Sequence, residues 1–246
     1  MNNAIYAATT GMLNRSRALD VTASNLANVN TAGYKRDRLI TSAFGEQVAY
    51  RLEAGSDEVI GSSTHGSIAN EVFTDYSQGV VDNTGRALHF AIVGDGFFSI
   101  ETANGQQAST RDGSFQVDQE GYLRTSTGGY VLGQGGRMQV GVGAVSIDPN
   151  GVVTSDGQTV DTLAILVPDP ANNNQTKQSL NALSQPTGQG TFTGRIASGK
   201  LERSNVDVGE EMAAMMAASR AFQTCAQAVK ILDAITQKSV NEIGRV

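Results

Sequence analysis

Large apolar side chains recur at a seven-residue spacing near the N-terminal end of the sequence, and this repeat strongly limits how the chain can fold. The repeat positions are Ile5, Met12, Leu19 and Leu26. Smaller side chains follow four positions after each of the first three: Thr9, Ser16 and Ala23. Such spacing places one apolar stripe along an α-helix, and small neighbours let a second helix approach closely. The pattern predicts an N-terminal helix with a coiled-coil-like seam.

A matching repeat lies near the other end of the chain. Its members are Val208, Met215, Phe222 and Val229, flanked by Met212, Ser219 and Ala226. Ser204 or Asn205 is expected to cap this helix ahead of Val206. Ordering such a helix alone costs more conformational entropy than burial of one stripe offsets. We therefore expect the two helices to pair and neighbouring subunits to cover the remaining apolar surface. The predicted assembly seam is Ile5, Met12, Leu19, Leu26, Val208, Met212, Met215, Phe222 and Val229.

Between the two helices, short β-branched runs alternate with glycine-rich turns. Ser114–Val117 and Tyr122–Thr125 flank one turn, and a second turn at 126–129 leads to Tyr130–Leu132. A third turn, at 148–151, joins Val145–Ile147 to Val152–Thr154. Asp, Asn, Pro and Gly in these turns are typical of β-hairpins. The middle of the chain is therefore predicted to form a β meander.

These patterns predict a mixed α and β fold. Residues 1–38 and 200–246 are expected to form one helical domain. Residues 39–75 are expected to be an extended linker or hairpin region, and 76–199 a β-rich domain.

Charge and composition argue against several classes of function. The middle zone, residues 39–199, holds 16 acidic and 7 basic side chains, which disfavours a nucleic-acid partner. No stretch has the length and apolarity of a membrane span, and no signal-peptide pattern follows Met1. His65 and His89 have no Cys or acidic cluster at metal-ligand spacing. No nucleophile elbow encloses His65 and the nearby serines, so a surface loop is expected there, and Cys225 is interpreted as a buried packing residue. We therefore expect no catalytic residues, no metal and no cofactor.

The segment Ser24–Arg36 resembles the signature that closes the first helix of flagellar rod and hook axial proteins. The signature residues are Asn25, Leu26, Ala27, Asn28, Thr31, Gly33, Tyr34 and Lys35. Asn28 and Thr31 can bond local backbone groups and end the helix, and Gly33 permits a backbone angle that other residues avoid. Three further stretches look like the same family: 84–98, 110–125 and 201–235.

The resemblance implies a structural axial subunit that transmits torque from motor to hook. It implies that the helical residues 1–38 and 200–246 form a tube-forming inner domain and that 76–199 form the outer domain. It implies contacts with copies of itself, with other rod proteins and with the flagellar type III export apparatus. It also implies a rod location in the periplasmic space, reached without a cleaved signal peptide, with no membrane insertion. The longer hook protein is excluded by the 246-residue length, and the proximal rod type is preferred over the distal type. His89 departs from the acidic residue common there in related chains. A secreted β-rich adhesin or binding module is the alternative from another class, but it leaves the terminal seams unexplained.

Overall fold

The computed structural model describes residues 2–43, 47–53, 56–63, 67–141, 143–167, 177–179, 182–184 and 192–243. Within it the chain forms two compact units. Unit 1 comprises Met1–Ala27, Asp37–Asp75 and Asp207–Val246. Unit 2 comprises Asn28–Arg36 and Tyr76–Val206.

Unit 1 contains the two terminal helices and two antiparallel strand pairs. Helix α1 spans Asn2–Ala27 and packs against helix α2, Val208–Ile243. Strand β1, Asp37–Ala43, pairs with β4, Ser67–Thr74, and both strands contact α1. The second pair joins β2, Gln47–Glu53, to β3, Ser56–Ser63. The paired terminal helices on either side of a β-rich sequence confirm the predicted fold class.

The predicted N-cap of α2 is wrong by two to three residues. The helix begins at Val208, and Asp207 Oδ1 accepts a hydrogen bond from the Glu210 amide at 3.0 Å, which makes Asp207 the cap. Ser204 Oγ accepts from the Val206 amide at 3.3 Å ahead of the helix. Asn205 is committed elsewhere, because its side-chain oxygen accepts from the Arg36 amide at 2.8 Å.

Unit 2 is built from short strands, all of them paired antiparallel in the part of the chain that the structure describes. They are β5 Val81–Asn83, β6 Phe90–Val93, β7 Phe97–Glu101, β8 Gln107–Thr110, β9 Phe115–Val117, β10 Leu123–Thr125, β11 Tyr130–Gly133, β12 Gly136–Arg137, β13 Val145–Ile147, β14 Val152–Ser155, β15 Gln158–Thr162, β16 Ile165–Leu166, β17 Lys177–Ser179, β18 Ala182–Ser184, β19 Arg195–Ser198 and β20 Lys200–Glu202. The largest sheet has the order β17-β18-β8-β7-β11-β10-β9, with β12 beside β11 and β16 beside β7. Strands β13, β14 and β15 form a second sheet, while β6 pairs with β19 and β5 with β20.

The structure confirms the three predicted hairpin turns. Strand β9 pairs with β10, β10 with β11, and β13 with β14. In the first turn, Asp118 Oδ1 accepts from the amides of Glu120 at 3.0 Å and Tyr122 at 2.8 Å. Gly121 follows with a φ of +81°, which suits glycine. Local turn chemistry therefore sets the register of this hairpin.

The core of unit 2 packs against the large sheet. Its buried residues are Phe90, Ile92, Phe98, Phe115, Leu123, Val131, Met138, Val140, Ile147, Val153, Leu163 and Ile196. Along β10 the buried Leu123 and Thr125 alternate with the less buried Arg124, whereas the consecutive residues 97–100 of β7 are all buried, so the sheet is covered on both faces at β7. The rings of Phe98 and Phe115 meet edge to face with centroids 5.1 Å apart. This core holds the strands that position the polar cluster described below.

None of the helices in the described ranges combines the length and apolarity needed to cross a membrane. In those same ranges the side chains of His, Cys, Asp and Glu form no group of three suited to a metal ion. His65 lies outside the described residues, so its predicted surface position stays a prediction.

Candidate assembly site

The family signature spans the end of α1 and the segment that follows it. Helix α1 ends at Ala27, and the Thr31 amide donates to the Asn28 carbonyl at 3.1 Å. The Thr31 hydroxyl also donates to Asn28 Oδ1 at 3.3 Å. Gly33 has a φ of +68°, and a Cβ there would lie 2.5 Å from the Asp112 backbone nitrogen. The segment can therefore turn at Gly33 only because that residue has no side chain.

Within unit 1, Asn25 joins the last turn of α1 to the first residue of β1. Its Nδ2 donates to the Asp37 carbonyl at 2.8 Å, and its Oδ1 accepts from the Asp37 amide at 3.0 Å. Asp37 Oδ1 in turn accepts from the Thr74 hydroxyl at 2.7 Å. The buried Asn25 side chain thus pairs with the strand backbone as a neighbouring strand would, which explains a carboxamide at this signature position.

Lys35, the last signature residue, belongs to a buried charge cluster in unit 2. Its Nζ lies 2.6 Å from Glu202 Oε1, and Arg111 Nη1 lies 3.0 Å from Glu202 Oε2. The Glu202 side chain is fully buried, and those of Lys35 and Arg111 are 3% exposed. We call these three residues the Glu202 cluster. Charged side chains are rarely buried to this degree unless they are paired.

Further hydrogen bonds tie the Glu202 cluster to the surrounding backbone. Lys35 Nζ donates to the Ser77 carbonyl at 2.7 Å, and the Gly79 amide donates to Glu202 Oε1 at 2.9 Å. Arg111 Nη2 donates to the Gly94 carbonyl at 2.7 Å. Burial lowers the pKa of the Arg111 guanidinium, while the charge of Glu202 and its hydrogen bond act in the opposite direction. The ion pair with Glu202 therefore opposes the burial cost of that charge.

Sequence reasoning singled out Lys35 but missed the other two residues of the Glu202 cluster. Glu202 is separated from Lys35 by 167 positions and from Arg111 by 91. Neither residue stands in a charge pattern of its own in the sequence. The usable signal was the position of Arg111 and Glu202 inside stretches that resemble the family.

The seam positions divide into two groups by exposure. Seven are half-buried: Ile5, Met12, Leu19, Leu26, Met215, Phe222 and Val229. Val208 and Met212 are 42% and 48% exposed. Cys225 is half-buried rather than buried as interpreted from the sequence, and a Cβ on Gly11 would lie 3.5 Å from its sulfur. The two helices therefore approach closely at Gly11 while much of their apolar surface faces outward.

Beyond the seam, more large apolar side chains of the helices face solvent. They are Tyr6, Leu13, Met216, Ile231, Ile235 and Val240. Ala218 is the one apolar residue of the two helices that is buried among those whose burial the structure describes. A helix pair with this little buried apolar surface and this much exposed is suited to pack against further helices.

His89, the departure from the family pattern, lies at the surface of unit 2. Its Nδ1 is 2.9 Å from the Thr84 hydroxyl, and its backbone bridges to Ser114. Burial and the nearby Arg86 charge lower the pKa of the imidazole, against the opposing charge of Asp112. The neutral ring is thus favoured, and its contact with Thr84 is a local one.

Three stretches of the chain match families of known proteins. Residues 5–35 match a family described as flagella basal body rod protein. Residues 91–181 match the flagellar hook protein FlgE/F/G D1 domain, and 197–243 match the flagellar basal body rod FlgEFG protein C-terminal family. The fold and these matches define an axial protein of the flagellum.

Comparison with individual relatives narrows this class to the rod proteins. The chain is 35% identical to the flagellar basal-body rod protein FlgG of Bacillus subtilis, covering 98% of this chain and 99% of the relative. It is 28% identical to FlgF of Caulobacter vibrioides over the full length of both, and 30% identical to FlgF of Escherichia coli over 95% of both. The chain belongs to the flagellar basal-body rod protein family, and its role is that of a structural rod subunit. The adhesin alternative is not favoured.

Proposed function

We propose that this chain assembles helically with copies of itself and with other rod proteins through its terminal helices, and that it transmits torque from motor to hook without a catalytic step. In this proposal it reaches the periplasmic part of the rod through the flagellar type III export apparatus, with no signal peptide removed. The seam and signature residues act as the assembly site. The relatives' names support the rod, and the exposed helical surface supports the mode of assembly.

The exposed apolar surface of α2 is the observation that carries this proposal. Helix α2 has 36 residues against 26 in α1, so about 15 Å of its length has no counterpart in its partner. Near its end, Ile231, Ile235 and Val240 each expose half or more of their side chains. Contact with a neighbouring subunit would bury these side chains. Burial of apolar surface contributes about 25 cal/mol of favourable free energy per Å².

Assembly of purified protein tests the proposal. The Ile235→Ser variant should raise the concentration needed for assembly at least tenfold, because it weakens apolar contact between subunits. A matched control is Val160→Ser, which changes a 39% exposed apolar side chain on β15 of unit 2. Sedimentation across a concentration series measures both. Equal effects of the two variants, or a wild-type chain that stays monomeric at every concentration, would contradict the proposal.

Within the rod, we propose the proximal position, with the distal position as the second candidate. The opening residues Ala4–Tyr6 and the compact middle zone favour the proximal type, whereas the 35% identity to an FlgG protein favours the distal type. Expression in strains that lack either the proximal or the distal rod protein distinguishes them. We expect the chain to restore swimming in the strain that lacks the proximal protein and not in the strain that lacks the distal protein.

A further inference from the structure

The Glu202 cluster brings together three parts of unit 2 that are far apart in the sequence. One carboxylate accepts hydrogen bonds from the Lys35 ammonium, the Arg111 guanidinium and the Gly79 amide. In addition, the Gly33 amide donates to the backbone carbonyl of Glu202 at 2.8 Å. A carboxylate has two oxygens with about four acceptor positions, so it can hold three donors at once, whereas a single carboxamide oxygen cannot.

Asn205 forms a second set of contacts beside this cluster. Its side-chain oxygen accepts from the Arg36 amide at 2.8 Å, and its Nδ2 donates to the Ser77 carbonyl at 3.2 Å and to the Ser77 hydroxyl at 3.1 Å. Residues 28, 36, 76 and 206 are the ends of the two segments that make up unit 2, and these contacts lie beside the last three of them. The polar contacts are therefore concentrated where the chain enters and leaves that unit.

We propose that Glu202 is a positioning residue for assembly, which holds the segments 33–36, 77–79 and 202–205 in one arrangement. This inference rests on the function proposed above, because the chain continues from these segments into β1, β4 and α2. A fixed arrangement gives every subunit the same spacing between the points from which those elements start. Regular helical assembly depends on such uniformity, since each copy must repeat the contacts of the last.

A purely stabilising role is the simpler explanation, and it makes a different prediction. Replacing buried ion pairs with well-packed apolar residues is often neutral or stabilising, so stability alone does not account for the Glu202 cluster. If Glu202 only stabilised unit 2, any variant with the same loss of stability would impair assembly equally. If Glu202 positions the segments, its loss should impair assembly in molecules that are still folded.

The test compares full-length Glu202→Gln with Leu123→Ala, which opens a cavity in the core away from the cluster. Hydrogen exchange is measured at the amides of Gly33, Arg36 and Gly79, and at Met138, whose amide bonds within the core sheet at 3.0 Å. In Glu202→Gln we expect at least tenfold faster exchange at the first three amides, a smaller increase at Met138 and at least tenfold slower assembly. Leu123→Ala should lower the midpoint of thermal unfolding yet assemble at the wild-type rate.

Two further variants test the charge of Glu202 and the neighbouring contacts of Asn205 separately. Glu202→Asp retains the charge and should recover part of the assembly rate that Glu202→Gln loses. If Glu202→Gln fails to fold, Asn205→Ala removes the neighbouring contacts without changing a buried charge, and it should slow assembly at least threefold. Wild-type assembly by both Glu202→Gln and Asn205→Ala would overturn the inference, as would equal damage from Leu123→Ala. Failure of the wild-type chain to assemble would instead count against the proposed function.

Discussion

Two independent constraints exclude a side chain at Gly33. Its φ of +68° is a left-handed conformation that costs other residues about 1 to 2 kcal/mol. A Cβ there would also overlap the backbone at Arg111 and Asp112. Neither group can move aside cheaply, because both belong to the backbone beside the Glu202 cluster. The sequence predicted the first constraint from the signature, whereas the second depends on a contact with a segment about 80 positions away.

The Gly33→Ala variant should therefore destabilise unit 2 by more than about 2 kcal/mol, since the conformational cost is increased by overlap. Gly85→Ala is the matched control, because Gly85 has a φ of +67° and nothing within 4 Å of the added Cβ. It should cost only the conformational term of about 1 to 2 kcal/mol. Denaturant unfolding of the two variants measures the difference. Equal losses would show that the backbone near Arg111 yields to the new side chain.

Lys35 shows how far the sequence could lead at the level of one residue. The signature marked it as a functional position, but its chemistry depends on Glu202 and Arg111. Those partners are selected by tertiary packing, which brings a strand near the end of unit 2 against a segment near its start. A single sequence contains no local pattern for such a pair. The position of the site could thus be predicted from the sequence, but the contacts that Lys35 makes there could not.

The elements that were predicted best are those whose boundaries depend on residues close by in the sequence. The turn at 118–121 holds its hairpin through Asp118 and Gly121, both visible in the sequence. The start of α2 was misplaced because Ser204, Asn205 and Asp207 are all good capping residues. Asp207 caps the helix, whereas Asn205 contacts Arg36, which is 169 positions away. The sequence has no local signal for a contact at that separation.

Removal of the actual cap should weaken the first turn of α2. Asp207→Ala deletes the acceptor for the Glu210 amide and should cost about 0.5 to 2 kcal/mol of helix stability. Glu210 and Glu211, both in the first turn, interact favourably with the positive end of the helix dipole, and the variant would keep this contribution. Hydrogen exchange at the Glu210 amide measures the effect. Ser204→Ala is the control and should leave that amide unchanged, so a larger effect from Ser204 would restore the original capping prediction.

At the scale of the whole molecule, the two units differ in how they satisfy their apolar residues. Unit 2 has a continuous buried core centred on residues such as Phe98 and Leu123. Unit 1 leaves large apolar side chains of both helices exposed, including Leu13 and Ile231. Free energy of folding in unit 2 therefore comes from within the chain, while that of the helices is expected to depend on neighbouring subunits. The inner and outer domains expected from the family resemblance stay a prediction.

Charge placed in the helical seam should separate assembly from folding. Leu19 and Phe222 are half-buried in the helix pair, and an unpaired carboxylate at either position would cost several kcal/mol if neighbouring helices buried it. Leu19→Asp and Phe222→Asp should therefore abolish assembly while the thermal unfolding of unit 2 stays within a degree or two of wild type. The surface change Gln106→Asp, in the exposed loop before β8, should affect neither property. Calorimetry and sedimentation report the two properties separately. Equal loss of unit 2 stability in all three variants would contradict this prediction. It would show that the helices and the strands unfold as one cooperative core, because only then would a charge in the helical seam lower the stability of the strands.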